Sequence, residues 1–197
     1  MLIHWQATLY LNPMKPRYRE DKATQVAALL LQLSGGTINH TKLITLMYFV
    51  ERSAVVQFGR PVTFDDFLYL ERRPVLVATL DNVNGDQSPN VESYWLEHVS
   101  KCDGSGAVHL KSEVACNDQL SRAEETITKQ IFAEFGQMDL SQLRDYAHHN
   151  FSELKDSSST RYPIAIREIL LAEGYSDAFA DEVEQDLRGE ALVGHLE

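Results

Sequence analysis

Only two cysteines, Cys102 and Cys116, occur in the 197-residue chain. Two thiols build neither a disulfide framework nor a thiolate zinc cage, so the fold is expected to rest on an apolar core. They read as free thiols; a disulfide across a hairpin is the alternative. No apolar run approaches the roughly 20 residues that a membrane span needs. The opening MLIHWQATLYLNPMKPRYRE lacks a basic start, a clean apolar stretch and a small-residue cleavage site, so a cytoplasmic protein is the expectation. Positive charge is scarce too: 18 Lys+Arg against 29 Asp+Glu leave a net charge of −11. Such a chain has no general attraction to phosphate backbones, which argues against nucleic acid as a partner.

Catalytic signatures are also missing. His148 and His149 are adjacent, and on a helix they point about 100° apart, so they do not chelate one ion as an i, i+4 pair does. No HExxH motif accompanies them, and the reading is one packed or capping histidine beside one solvated. Asp65 and Asp66, as neighbours in extended chain, face opposite sides; they read as a turn residue beside a solvated carboxylate. Ser157, Ser158, Ser159 and Thr160 sit in no Gly-x-Ser-x-Gly elbow or Ser-x-x-Lys motif. Neither Gly35-Gly36 nor Gly104-Ser105-Gly106 has the spacing of a phosphate-binding loop. The remaining alternatives are a metal-dependent hydrolase centred on His148, His149 and Asp66, and DNA-binding autoregulation, which the net charge and the lack of a separate helix-turn-helix segment disfavour.

What is present is a 44% apolar composition, enough for a core, and an uneven charge distribution. Residues 1–60 hold seven Lys+Arg and three Asp+Glu; the remainder holds eleven and twenty-six. The acidic part suits a basic partner, although solubility alone explains it.

Residues 1–20 read as irregular. A helix follows over 21–33, stopped by Gly35-Gly36. Asn39 caps a second helix, 40–58, closed by Gly59, whose Leu43, Leu46, Met47, Val50, Ala54 and Phe58 recur at helical spacing. The segment after Pro61, VTFDDFLYLE, alternates as a strand. Pro74 suits the first turn of a helix over 75–82. YWLEHV and AVHLK read as a β-hairpin around KCDGSG. Ser121 with Glu124, then Asp139 with Gln142, are capping boxes that open two helices. Pro163 is expected to open another helix through Ala172. Ser176 is expected to cap a last acidic helix over 177–188, ended by Gly189. The sum is one compact, predominantly helical α+β domain of about seven helices with a small antiparallel hairpin or sheet, over 21–190, and a short tail at 191–197.

Three arginines, Arg60, Arg72 and Arg73, lie near the strand and suit an anion or an acidic partner side chain, with internal ion pairs as the competing use. The last helix offers an acidic face that includes Asp181 and Glu184 over a thin apolar stripe of Ala178, Val183 and Leu187. These two regions are the candidate partner-binding residues.

Laid end to end, the elements resemble the Panacea domain, the SocA-like antitoxin family often found in prophages and toxin–antitoxin operons. The resemblance runs from about Asp21 to Leu187. Leu46-Met47-Tyr48-Phe49-Val50-Glu51 is similar to the family's Leu-hydrophobic-Tyr-hydrophobic helix with its following acid. Gly59-Arg60-Pro61, Val62-Thr63, Asp66-Phe67, Pro74-Val75 and Asn84-Gly85 follow in the family's order. Leu140, Leu143 and His148 resemble its Leu-rich helix, and Pro163-Ile164, Ile169-Leu170 and Gly174 its closing helices. Thr45, Arg73 and Leu154 stand where the family usually has Lys, Gly and Trp.

The resemblance implies a protein that binds and neutralises a toxin encoded beside it, in some cases by delivery to an ATP-dependent protease. It implies neither intrinsic catalysis nor a cofactor or metal. The alternative is an adaptor or phage-associated regulator that binds a host protein. The sequence leaves open whether the chain also pairs with itself.

Overall fold

The computed structural model describes residues 15–86, 93–111, 118–154 and 161–193. Cys116 and the Ser157–Thr160 run lie outside them. Helix α1, Glu20–Leu33, leads into a short strand β1, Thr37–Asn39, and then the central helix α2, His40–Phe58. Asn39 caps α2 as expected, its side chain accepting from the amides of Thr41 and Lys42. At the other end Gly59 takes φ 68°, the left-handed conformation that ends helices, and a side chain there would meet Val183 at 3.2 Å.

Every residue of α2 from Leu43 to Arg52 is buried. It packs against α1, α5 (Arg122–Phe135), α6 (Leu140–Asn150) and α7 (Ile166–Ala172). Both capping boxes form, Ser121 with Glu124 at the start of α5 and Asp139 with Gln142 at the start of α6. Phe49 sits in an aromatic cluster between these helices, 5.0 Å from the Phe135 ring and 5.1 Å from Phe151.

The two prolines expected to open helices do not. Pro74 lies in strand β3, Arg73–Leu76, and Pro163 in strand β5, Arg161–Pro163. Both flank strand β2, Phe67–Leu70, in an antiparallel sheet of order β3-β2-β5. Each is an edge strand, where a missing N–H costs no ladder bond. The turn joining β2 to β3 is Glu71-Arg72, at φ 50° and 66°. That is a two-residue hairpin without the Asn-Gly that usually announces one, so nothing local marked it.

Helix α3, Val77–Asn84, therefore begins two residues later than expected, and its cap comes from elsewhere in the chain. Asp65 accepts from the Ala78 amide (2.8 Å), the Thr79 amide (2.8 Å) and the Thr79 hydroxyl (2.8 Å). Where a turn residue was expected, Asp65 is a buried cap, 6% exposed. Asp66 is the exposed member of the pair, with Lys15 as its partner. Asp65→Asn, which puts an amide donor against two backbone donors, is expected to lower stability by about 1–3 kcal/mol in denaturant titrations.

The predicted hairpin around KCDGSG is largely replaced. Its first arm is helix α4, Tyr94–His98, and its second is β4, Ala107–His109, which pairs with β1. One bridge, Val99 to Leu110, keeps the two arms together. Ser93 caps α4, and Glu20 at the start of α1 accepts from both the Ser93 hydroxyl (2.7 Å) and the Trp95 amide (2.9 Å). This long-range cap and the complete burial of Trp95 select helix over strand. With α4 there are eight α-helices among the described residues, in a predominantly helical α+β fold.

Helix α8 runs Asp177–Val193, passing through Gly189 rather than stopping there. Glycine inside a helix costs only about 0.5–1 kcal/mol, and beyond it Ala191 is buried while Glu190 pairs with Arg60.

Candidate interaction surfaces

The residues that carry the sequence pattern from Leu46 to Thr63 form a buried polar frame. Glu51, 2% exposed, accepts from the Val62 amide (2.7 Å) and the Thr63 amide (3.0 Å). It thereby pins the Gly-Arg-Pro-Val-Thr segment to the helix that precedes it. Burial is the chief influence on this carboxyl, pushing its pKa up to about 7, opposed by those donors and reinforced by the charge of Asp65.

One residue on, Arg52 donates to Glu153 (2.7 Å) and to Glu173 (2.7 Å), and its guanidinium lies 3.9 Å from the Phe151 ring centre. Glu153 has a fully buried side chain and also accepts from the Tyr48 hydroxyl at 3.2 Å. Burial raises Tyr48 well above the usual phenol range, with Glu153 adding to it. Sequence reasoning missed Arg52, Glu153 and Glu173. The available signal was two charged residues, Glu51 and Arg52, inside an otherwise continuous buried helix.

The three candidate arginines do not converge. Arg73 donates to the Thr41 hydroxyl (2.9 Å) at the start of α2, and Arg60 follows the end of that helix. Nineteen residues of helix put roughly 28 Å between those ends. Arg60 pairs with Glu190 (2.8 Å) and lies 5.3 Å from the Phe64 ring centre.

Arg72 occupies the left-handed tip of the β2–β3 hairpin, and among the described residues its guanidinium has no ion-pair partner. The tip is held from below: the Arg72 carbonyl accepts from His148 Nε2 (2.9 Å), which assigns the proton to that nitrogen. The same nitrogen is 3.3 Å from the Tyr69 hydroxyl, and Tyr69 stacks on Tyr162 with 4.7 Å between ring centres. His148 is thus a packed, positioning histidine, as one of the pair was expected to be. His149 turns back to the Asp145 carbonyl. Among the described residues no group of three His, Cys, Asp or Glu is placed to hold a metal ion. Nor is any helix of those residues long and apolar enough to cross a membrane.

The candidate acids of α8 are already engaged. Asp181 and Asp177 both pair with Arg167 of α7, and Glu184 faces Arg188 at 3.6 Å. Beside them the surface is aromatic: Tyr175 and Phe179 stack face to face at 4.8 Å while remaining 38% and 37% exposed. Tyr175 also donates to the Val56 carbonyl (2.9 Å), fixing the ring against the last turns of α2.

An open cleft of about 350 Å³ lies where α1, the end of α2 and the start of α5 meet, lined by Phe58, Arg60, Pro61 and Ala123 among others. Its Lys22 and Glu124 are paired at 2.6 Å. Residues 43–151 match the family described as antitoxin SocA-like, Panacea domain. No curated protein and no solved structure matches the chain.

Proposed function

Because this chain belongs to the SocA-like antitoxin family with a Panacea domain, we propose that it binds and neutralises a toxin encoded beside it, in the cytoplasm, by protein–protein contact. The family match over residues 43–151 carries this reading, and a non-enzymatic role is what such a family suggests. Two surface features support contact as the mode of action. One is the β2–β3 hairpin tip, where Arg72 is held at φ 66° and its guanidinium has no ion-pair partner among the described residues, with Arg73 beside it; strained backbone of this kind concentrates at functional positions. The other is the acidic α7–α8 region with its exposed aromatic pair. The proposed partner-facing residues are Arg72 and Arg73 at the hairpin and, at the other end of α2, Arg60 together with the α8 acids Asp181 and Glu184.

The test is co-expression with the product of the adjacent gene. That product is expected to arrest growth alone and to be silent with this chain present. An adjacent product that is harmless alone, or equally toxic in both conditions, overturns the antitoxin reading. Following the adjacent product's lifetime separates plain inhibition, which leaves it unchanged, from delivery to an ATP-dependent protease, which shortens it.

A further inference from the structure

Helix α8 is divided lengthwise. At about 100° per residue, Ala180, Val183, Leu187 and Ala191 fall on one line, and all four are buried. On one flank of that line lie Asp177, Asp181, Glu184 and Arg188, whose charges are matched by Arg167 and by each other. The other flank carries Phe179, Glu182, Asp186 and Glu190 at i, i+3, i+7 and i+11. Here only Glu190 is paired, with Arg60; Glu182 and Asp186 are exposed and have no partner among the described residues.

From this asymmetry we infer that the toxin docks along the Tyr175–Phe179–Glu182–Asp186 flank, and that it presents there a segment with an apolar anchor followed by Lys or Arg. The inference rests on the antitoxin reading and names the surface and the partner chemistry. The exposed rings supply anchoring area, because large aromatic side chains dominate interface energies when a partner covers them. The two unpaired acids decide the occupant. A second copy of this acidic chain would bring like charge to like, whereas a basic segment finds two carboxylates one and two turns beyond the rings. The flank also lies beyond residue 151, where the family match ends. A recognition surface there can differ between relatives that keep the same core.

The experiment uses the purified full chain and the purified product of the adjacent gene. Calorimetric titration is expected to show affinity falling on the order of tenfold or more for Phe179→Ala and for Glu182→Lys/Asp186→Lys. The double-lysine variant is also expected to lose most of the salt dependence of binding. Because Glu182 and Asp186 are exposed and without a partner among the described residues, that variant keeps the fold, which circular dichroism verifies. Asp145→Asn, which removes an exposed acid on α6 away from this flank, is expected to stay within about twofold of the parent.

If the adjacent product is silenced equally by the parent and by the lysine variant, with equal affinities, this docking flank is wrong while the antitoxin reading stands. If the parent never silences it, both fall. A chain that sediments as a dimer and becomes monomeric on Phe179→Ala overturns the inference in favour of self-association.

Discussion

Arg52→Met is expected to destabilise the protein by about 3–5 kcal/mol, enough to remove a large part of the stability of an ordinary domain. Arg52 is 7% exposed and is the ionic partner of Glu153, whose side chain is fully buried. Without the guanidinium, the Tyr48 hydroxyl at 3.2 Å is the one donor left among the described residues to a carboxylate removed from water. The loss comes chiefly from stranding that charge rather than from the strength of the pair. Three elements part together, because Arg52 on α2 also holds Glu173 at the end of α7 and packs over Phe151. Chemical denaturation of Arg52→Met beside Arg52→Met/Glu153→Leu discriminates the cause. The double variant, with no buried charge left, is expected to recover much of the loss. Equal destabilisation of both would show that packing over Phe151, not the stranded carboxylate, is the dominant contribution.

The second large effect depends on pH. Glu51 titrates at about 7 in the folded protein against an ordinary value of 4.5 in the unfolded chain. Between those values the native state binds the proton more fully. The stabilisation linked to Glu51 is therefore fully present below about pH 4.5 and is withdrawn as pH rises through 7. A displacement of that size corresponds to about 3 kcal/mol. Asp65, also raised by burial, acts in the same direction. Salt-bridged carboxylates such as Glu124, held below its ordinary value despite its burial by Lys22 and the Ser121 amide, act in the opposite one. The Glu51 contribution is therefore read as a difference. The stability of the parent minus that of Glu51→Gln is expected to fall by about 3 kcal/mol between pH 4.5 and pH 8. A difference that is flat across this range would show that the Val62 and Thr63 amides keep Glu51 ionised at its ordinary value.

Both predictions concern residues in or beside the motif by which the chain resembles its family, and they give that motif a physical meaning. Leu46, Tyr48, Phe49 and Val50 supply core, while Glu51 clamps the loop that follows. The departure at Arg73 proves mild. Arg73 is not among the positive-φ residues, which in this turn are Glu71 and Arg72. An arginine is tolerated at position 73 because the strand there is extended and its guanidinium reaches Thr41.

The sequence by itself determined what depends on near neighbours. The bounds of α2, its Asn39 cap, the Gly59 stop and both capping boxes involve groups within about four residues of one another, so their chemistry is legible as a string. Family membership was legible for the same reason, since it rests on ordered short patterns. Tertiary structure decided everything that depends on a distant partner. Pro74 and Pro163 are strand residues because β2 lies between them, and Asp65 is a cap because α3 comes back to it. Arg52 and Glu153 meet across 101 positions. Arg60 and Arg73, 13 apart in sequence, are held at opposite ends of one helix. The acidic helix looked uniform as a string; only packing against α7 and the end of α2 divided it into a matched flank and an open one. A pattern repeating every 3.6 residues says which side of a helix is apolar, but not which charges its neighbours will neutralise.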